Sequence, residues 1–143
     1  SAFYQLFLII KGIMCEEDAV MAATSGADAI VISNHGGRQL DGAPATLDVL
    51  PDIAEAIAGK VETWLDGGIR SGQDMFKALA LGADATLIGK AFLNGLGARG
   101  KAGVTQCLEI IEKELDLTMA FCGKTDLREV GAEVIYTEHE TRR

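Results

Sequence analysis

The chain has 143 residues, 48% of them hydrophobic, and a formal net charge of −8. That length is about one domain and allows a sizeable core, while the acidic balance excludes nucleic acid or an anionic membrane surface as the main partner, so any phosphate site has to be a local feature. No apolar stretch reaches the roughly 18 residues a membrane span needs, and Cys15, Cys107 and Cys122, odd in number and without CxxC spacing, read as free thiols in a reducing compartment, the cytoplasm.

The apolar start, residues 3–10, lacks a basic segment and a small-residue cleavage site, which makes it a poor signal peptide. A start at Ser1 rather than Met is what a processed, trimmed or engineered terminus leaves. Residues 7–10 form a short apolar run that reads as a buried strand and ends at Lys11-Gly12. Glu16, Glu17 and Asp18 then crowd a helix first turn, where acids suit the positive end of the helix dipole. That helix runs to about Ser25, and Gly26 stops it. Residues 29–33, Ala-Ile-Val-Ile-Ser, are the second strand.

Residues 47–58 read as a helix with Leu47, Leu50, Ile53, Ala54 and Ile57 on one face. Residues 63–66 are the third strand, and Ser71 and Asp74 have capping-box spacing for the helix that ends before Gly82. Residues 85–88 are the fourth strand. A glycine-rich stretch then leads to a helix over roughly residues 103–115. Residues 138–143 are a polar tail, expected to be flexible.

Half of this plan is a repeat. Gly26-Ala27-Asp28 recurs as Gly82-Ala83-Asp84, an offset of 56 residues that also relates Gly12-Ile13 to Gly68-Ile69, Asp18 to Asp74, Ala22 to Ala78, Ala29 to Ala85 and Ile32 to Ile88. Strands alternating with helices imply parallel pairing and right-handed crossovers. Four strands in this length match the spacing of a (β/α)₈ barrel, which needs about 250 residues when complete, so the fold class is α/β, the C-terminal half of such a barrel. On periodicity alone a flavodoxin-like open sheet competes. A half barrel leaves two strand edges and an apolar inner face open, so it should self-associate or pair with a missing N-terminal half.

In a βα barrel, chemistry sits where strands end. Four ends can be read: Lys11-Gly12, residues 33–40, residues 66–70 and Gly89-Lys90, each with a titratable group just past an apolar strand. His35 stands beside Gly36-Gly37, three residues before Arg38. An imidazole can take a proton near neutral pH, and an arginine can pair with a substrate carboxylate through two hydrogen bonds. Gly67-Gly68 and Gly89 let backbone N–H groups approach a phosphate, with Arg70 and Lys90 adding charge; ordinary turn glycines beside surface cations are the plainer alternative. Lys11 has three readings: Schiff-base lysine, anion-stabilising charge or solvated cap. Asp66 either orients a ligand hydroxyl or satisfies backbone N–H groups.

Residues 33–41, Ser-Asn-His-Gly-Gly-Arg-Gln-Leu-Asp, resemble the signature of the FMN-dependent 2-hydroxy-acid family, which includes glycolate oxidase, lactate oxidase and dehydrogenase, and mandelate dehydrogenase. The resemblance extends through Lys11-Gly12, residues 66–70, residues 77–83, Gly89-Lys90 and residues 117–120, covering nearly all of 8–137 and leaving residues 1–7 poorly matched. It implies a (β/α)₈ barrel of which this chain supplies the last four βα units. It also implies FMN as cofactor, an (S)-2-hydroxy acid as substrate and no metal. His35 would be the base, Arg38 the partner of the substrate carboxylate, and Lys11 a charge beside the flavin. Ser33 and Asp66 would line the cofactor, and Gly67, Gly68, Arg70, Gly89 and Lys90 would hold its phosphate end. Two departures stand out. Lys90 replaces the family's usual Arg, keeping the charge but losing the bidentate fork. The family's N-terminal tyrosines, flavin-ring contacts and histidine-orienting aspartate have no counterpart here, so the isolated chain is expected to be inactive or very weak, or to act only as a half-barrel binding module.

Overall fold

The two Gly-Ala-Asp motifs close two helices and start two strands in the same way. In the computed structural model, which describes residues 6–136, Gly26 and Gly82 take φ of +90° and +105°. That left-handed turn is open to glycine at no steric cost. The amides of Ala27 and Ala83 then return to the carbonyls of Ala22 and Ala78, at 3.2 and 3.0 Å. Asp28 and Asp84 each accept a backbone N–H from the start of the preceding strand, Leu8 and Thr63, both at 2.7 Å. Each aspartate therefore ties the end of one crossover to the beginning of the neighbouring strand.

The elements alternate strictly. They are β1 (Ile9–Ile13), α1 (Glu16–Thr24), β2 (Ala29–Ser33), α2 (Thr46–Ile57), β3 (Glu62–Asp66), α3 (Gly72–Ala80), β4 (Ala85–Leu87) and α4 (Lys90–Phe121), followed by short turns at Leu127–Glu129 and Ala132–Val134. The four strands are parallel and lie in the order β1-β2-β3-β4. A doubly wound sheet reverses its strand order at a switch point; this one does not. The flavodoxin-like alternative therefore falls away, and the four βα units are successive staves of a (β/α)₈ barrel.

Alternation along the strands sends Ile30, Ile32 and Leu65 outward, where they join Ile13, Leu50, Ile53, Ile57, Ala19, Ala22 and Ala78 in one buried cluster. Leu50, Ile53 and Ile57 are within 1% of complete burial, and each such side chain contributes about 1.5–3 kcal/mol relative to exposure. These are residues the helical periodicity of residues 47–58 singles out. Pro51 sits on the opposite, exposed side of that helix.

The inner face of the sheet carries Ile9, Lys11, Val31, Ser33, Trp64, Asp66 and Leu87. Its register pairs Lys11 with Val31, Val31 with Trp64, Ser33 with Asp66 and Asp66 with Leu87. Ile9 and Leu87 are 40% and 36% exposed on the two edge strands.

Three local expectations need correction. The first strand runs over Ile9–Ile13 rather than residues 7–10. Leu8 spends its backbone groups on Asp28, and a bulge at Gly12, φ +104°, lets the ladder continue past Lys11 to Ile13. Ser71 caps α3 by accepting the Asp74 N–H at 3.1 Å, but the Asp74 carboxylate accepts from the Arg70 amide at 3.0 Å, one residue earlier than a closed capping box.

The largest difference is α4. The glycine-rich stretch is itself helical from Lys90, breaks at Arg99 and Gly100, and continues to Phe121. The break brings Gly95 and Gly103 together so closely that a Cβ on Gly103 would stand 1.9 Å from the Gly95 carbonyl oxygen. Glycine weakens an isolated helix, but only glycine allows this backbone approach. The three cysteines are unpaired. Among the described residues, no helix is long and apolar enough to cross a membrane. The expected polar tail, residues 138–143, lies outside the described residues.

Candidate active site

The four strand ends converge on one cleft of about 540 Å³. Its walls include Lys11, His35, Arg38, Asp66, Gly67, Gly68, Arg70, Gly89 and Lys90. Ser33 lies beneath it, 1% exposed at the end of β2. Ten residues picked from sequence are thus brought together at the C-terminal face.

The floor is a hydrogen-bonded group made by three strands. Lys11 Nζ donates to Ser33 Oγ at 2.7 Å and forms an ion pair with Asp66 Oδ2. Ser33 Oγ donates to the same Asp66 oxygen at 2.7 Å and accepts the His35 backbone N–H at 3.1 Å. An ammonium has three donors, so Lys11 keeps one N–H for a ligand. Partial burial works to raise the Asp66 pKa. Hydrogen bonds from Lys11 and Ser33, then the charges of Lys11 and His35, outweigh it and hold the carboxyl below its ordinary value. The end of β3 therefore presents a carboxylate whose charge Lys11 already balances.

His35 opens a short turn, His35–Gly37, in which three consecutive residues take φ of +56°, +71° and +69°. Two glycines supply that conformation cheaply; His35, which does not, is held in it by the bond to Ser33. Asn34 supports the same turn. Its Oδ1 accepts the Gly36 N–H and its Nδ2 donates to the Pro44 carbonyl, both at 3.0 Å. The His35 imidazole is exposed to the cleft and stands over the side-chain position that Gly12 leaves empty.

The opposite end of the cleft is basic. Among the described residues, Arg70 and Lys90 there, and Arg38 in the loop after β2, form no salt bridge, so their charge is free to meet an anion. The first turn of α4 has Gly89 as its N-cap, without a side-chain cap and without an acidic residue. An uncapped helix start with open amides and nearby cations favours an anion. A Cβ at Gly68 or Gly89 would meet no atom within 4 Å, so both glycines border open space.

Sequence reasoning passed over two polar side chains of this cleft, Asn34 and Thr46. Thr46, 3% exposed at the start of α2, donates its hydroxyl to the Gly67 carbonyl at 3.3 Å, joining the loops after β2 and β3. A threonine at a helix start ordinarily reads as a cap, which hides this second task. Asn34 had a clearer signal, since Asn favours turns and stands two residues before Gly36-Gly37.

The sequence matches the family described as FMN-dependent dehydrogenase over residues 2–137. It is 50% identical over 129 residues to an L-lactate oxidase of a Nostoc species, covering 90% of this chain and 35% of that protein. It is 48% identical over 128 residues to 2-hydroxyacid oxidase 1 of Mus musculus, again covering 90% and 35%. A crystal structure of mandelate oxidase with benzoyl-formic acid superposes with a TM-score of 0.84 at 46% identity, over 86% of this chain and 37% of that one. The chain thus spans a little over a third of the length of these relatives. FMN carries one phosphate, and the donor set fits it: two unpaired cations, an uncapped helix start and open glycine backbone at one end of the cleft, and the charged Lys11 group at the other. The match to FMN-dependent enzymes runs over nearly every residue and the cleft suits their cofactor: this chain belongs to the FMN-dependent dehydrogenase family.

Proposed function

We propose that this chain is part of an enzyme that oxidises an (S)-2-hydroxy acid to the 2-oxo acid. Bound FMN supplies the two-electron acceptor for that reaction. In this reading His35 takes a proton from the substrate and Arg38 pairs with its carboxylate. Lys11 uses its remaining N–H to stabilise negative charge beside the flavin ring. Asp66 faces the cofactor's polar chain, while Gly67, Gly68, Arg70, Gly89 and Lys90 hold its phosphate. The relatives named as lactate and 2-hydroxyacid oxidases support the substrate class. The single observation that carries the reading is the convergence of a histidine, an arginine and a lysine with a separate basic end in one cleft.

The test is a fluorescence titration of FMN with the purified chain, its Lys11→Ala and its Arg70→Ala variants. Saturable quenching that both substitutions weaken is expected. No binding at high micromolar FMN would remove the claim that this chain holds the cofactor by itself. Turnover of glycolate, lactate or mandelate, alone and with a polypeptide supplying the rest of a relative's barrel, then tests the chemistry. His35→Gln should abolish that turnover while leaving FMN binding within about a factor of three, since a removed base costs rate rather than cofactor contact.

A second reading has its own observation. On the inner face Ile9 and Leu87 are exposed, and β1 and β4 each leave an edge unpaired within the four-stranded sheet. On this reading the chain alone is a binding module that self-associates or docks onto an N-terminal half, and turnover appears only on pairing. Sedimentation with and without that half separates the two readings. The unpaired cysteines support a reducing compartment, which we take as the cytoplasm.

A further inference from the structure

The buried Ser33 hydroxyl is spent entirely inside the protein. A hydroxyl offers one donor and two acceptor lone pairs. Here the donor goes to Asp66 Oδ2 at 2.7 Å, and the acceptors take Lys11 Nζ at 2.7 Å and the His35 N–H at 3.1 Å. The residue is 1% exposed, so all three bonds are shielded from bulk water. The three partners come from three segments: β1, the turn after β2, and β3.

The arrangement joins two quantities that would otherwise vary independently. His35 stands in a left-handed conformation, φ +56°, that a non-glycine residue adopts only when something holds it. Its amide finds that hold in Ser33. Lys11 sits on an edge strand with its side chain 44% exposed, and a long flexible ammonium there is ordinarily mobile. It is held by the same oxygen and by the carboxylate that this oxygen orients.

We infer that Ser33 is a positioning residue, which sets the Lys11 ammonium and the His35 backbone relative to each other. The functional value of that distance rests on the reading of His35 and Lys11 given above. The positioning itself does not, and it can be measured without FMN.

The experiment compares the wild-type chain with Ser33→Ala, Ser33→Thr and Asp66→Asn in the absence of flavin. Amide exchange at His35 is followed by NMR, and labelling of Lys11 by an amine-reactive reagent is followed by mass spectrometry. Ser33→Ala should speed His35 exchange at least about tenfold, the loss expected for one buried hydrogen bond of about 1.4 kcal/mol, with the Val31 amide unchanged. It should also raise Lys11 labelling several-fold. Asp66→Asn should raise Lys11 labelling while leaving His35 exchange as it was, because the hydroxyl still accepts from the amide. Ser33→Thr, which keeps the hydroxyl, should restore both.

If Ser33→Ala folds and moves neither readout, Ser33 only fills space and the inference is wrong. It is equally wrong if Ser33→Ala weakens FMN binding with both readouts unmoved, since Ser33 then acts as a ligand alone. Should Ser33→Ala fail to fold, the other pair decides. His35 exchange rising in Asp66→Asn as much as Lys11 labelling does would overturn the inference, and the split response would sustain it. A chain that shows the split response yet binds no FMN leaves the positioning intact and removes only the functional reading.

Discussion

The His35 imidazole stands over the place where Gly12 lacks a side chain: a Cβ placed at Gly12 would stand 3.2 Å from His35 Nε2 and 3.8 Å from Cε1. Gly12 also has φ +104°, in the region that side chains rarely adopt. The bulge that this glycine makes after Lys11 thus serves two ends, turning Ile13 into the core and leaving room for the histidine ring. Gly12→Ala should displace the ring and strain the bulge, at a cost of about 1–3 kcal/mol. Urea denaturation measures the cost, and the His35 ring resonances, compared before and after substitution, measure the displacement. A ring that does not shift would mean that the contact is loose.

The packing of α3 on α4 depends on one position in the same all-or-none way. A Cβ at Gly72 would lie 2.1 Å from the Leu115 nitrogen and 2.5 Å from the Ile111 carbonyl oxygen, both backbone atoms that cannot yield separately. The Gly72 amide also donates to Glu114 at 2.9 Å. Gly72→Ala should therefore destabilise by about 3 kcal/mol, the upper end for overpacking. Gly97→Ala on α4 is the control: nothing lies within 4 Å of its Cβ. Exposed helical alanine should there gain up to about 1 kcal/mol. Denaturation midpoints of the two variants should fall on opposite sides of wild type.

Acid should weaken the cleft through Asp66. Its carboxyl is held below the ordinary value, so its contribution is complete above the unfolded pKa and is lost as pH falls through the folded one. The window therefore opens at about pH 4, the unfolded carboxylate value, and extends downward. Stability of the wild type should decline more steeply in that window than that of Asp66→Asn. Above pH 6 the two curves should run parallel. Urea midpoints measured from pH 6 to pH 2.5 give both slopes.

Lys90 invites a gain of function. It lines the cleft beside Gly89 and forms no salt bridge among the described residues. Lys90→Arg restores a planar fork suited to phosphate, and should tighten FMN binding by about three- to tenfold. Added salt should shrink the difference, because these charges are exposed. Unchanged affinity in titration calorimetry would place the phosphate away from this loop.

Much of the architecture is legible in the linear pattern because it rests on local rules. The Gly-Ala-Asp repeat marks two helix ends and two strand starts, and its aspartates do in space what the offset of 56 suggests, binding the backbone of the preceding strand. The 3.6-residue spacing of Leu50, Ile53 and Ile57 marks a buried face because burial of a helix is periodic. Strand-end chemistry at Lys11, His35, Asp66 and Lys90 is legible because barrel strands deliver their ends to one face. What stays hidden is whatever depends on distance between remote segments. Glycine weakens a free helix, so the sequence suggests a loop where α4 begins; the contact between Gly95 and Gly103 favours glycine there for the opposite reason, close packing of backbone on backbone. The order β1-β2-β3-β4, which decides barrel against open sheet, follows from which edges meet. The sharing of one Ser33 oxygen by Lys11, Asp66 and His35 joins positions up to 55 residues apart, and no local rule of composition or period brings them within hydrogen-bonding reach.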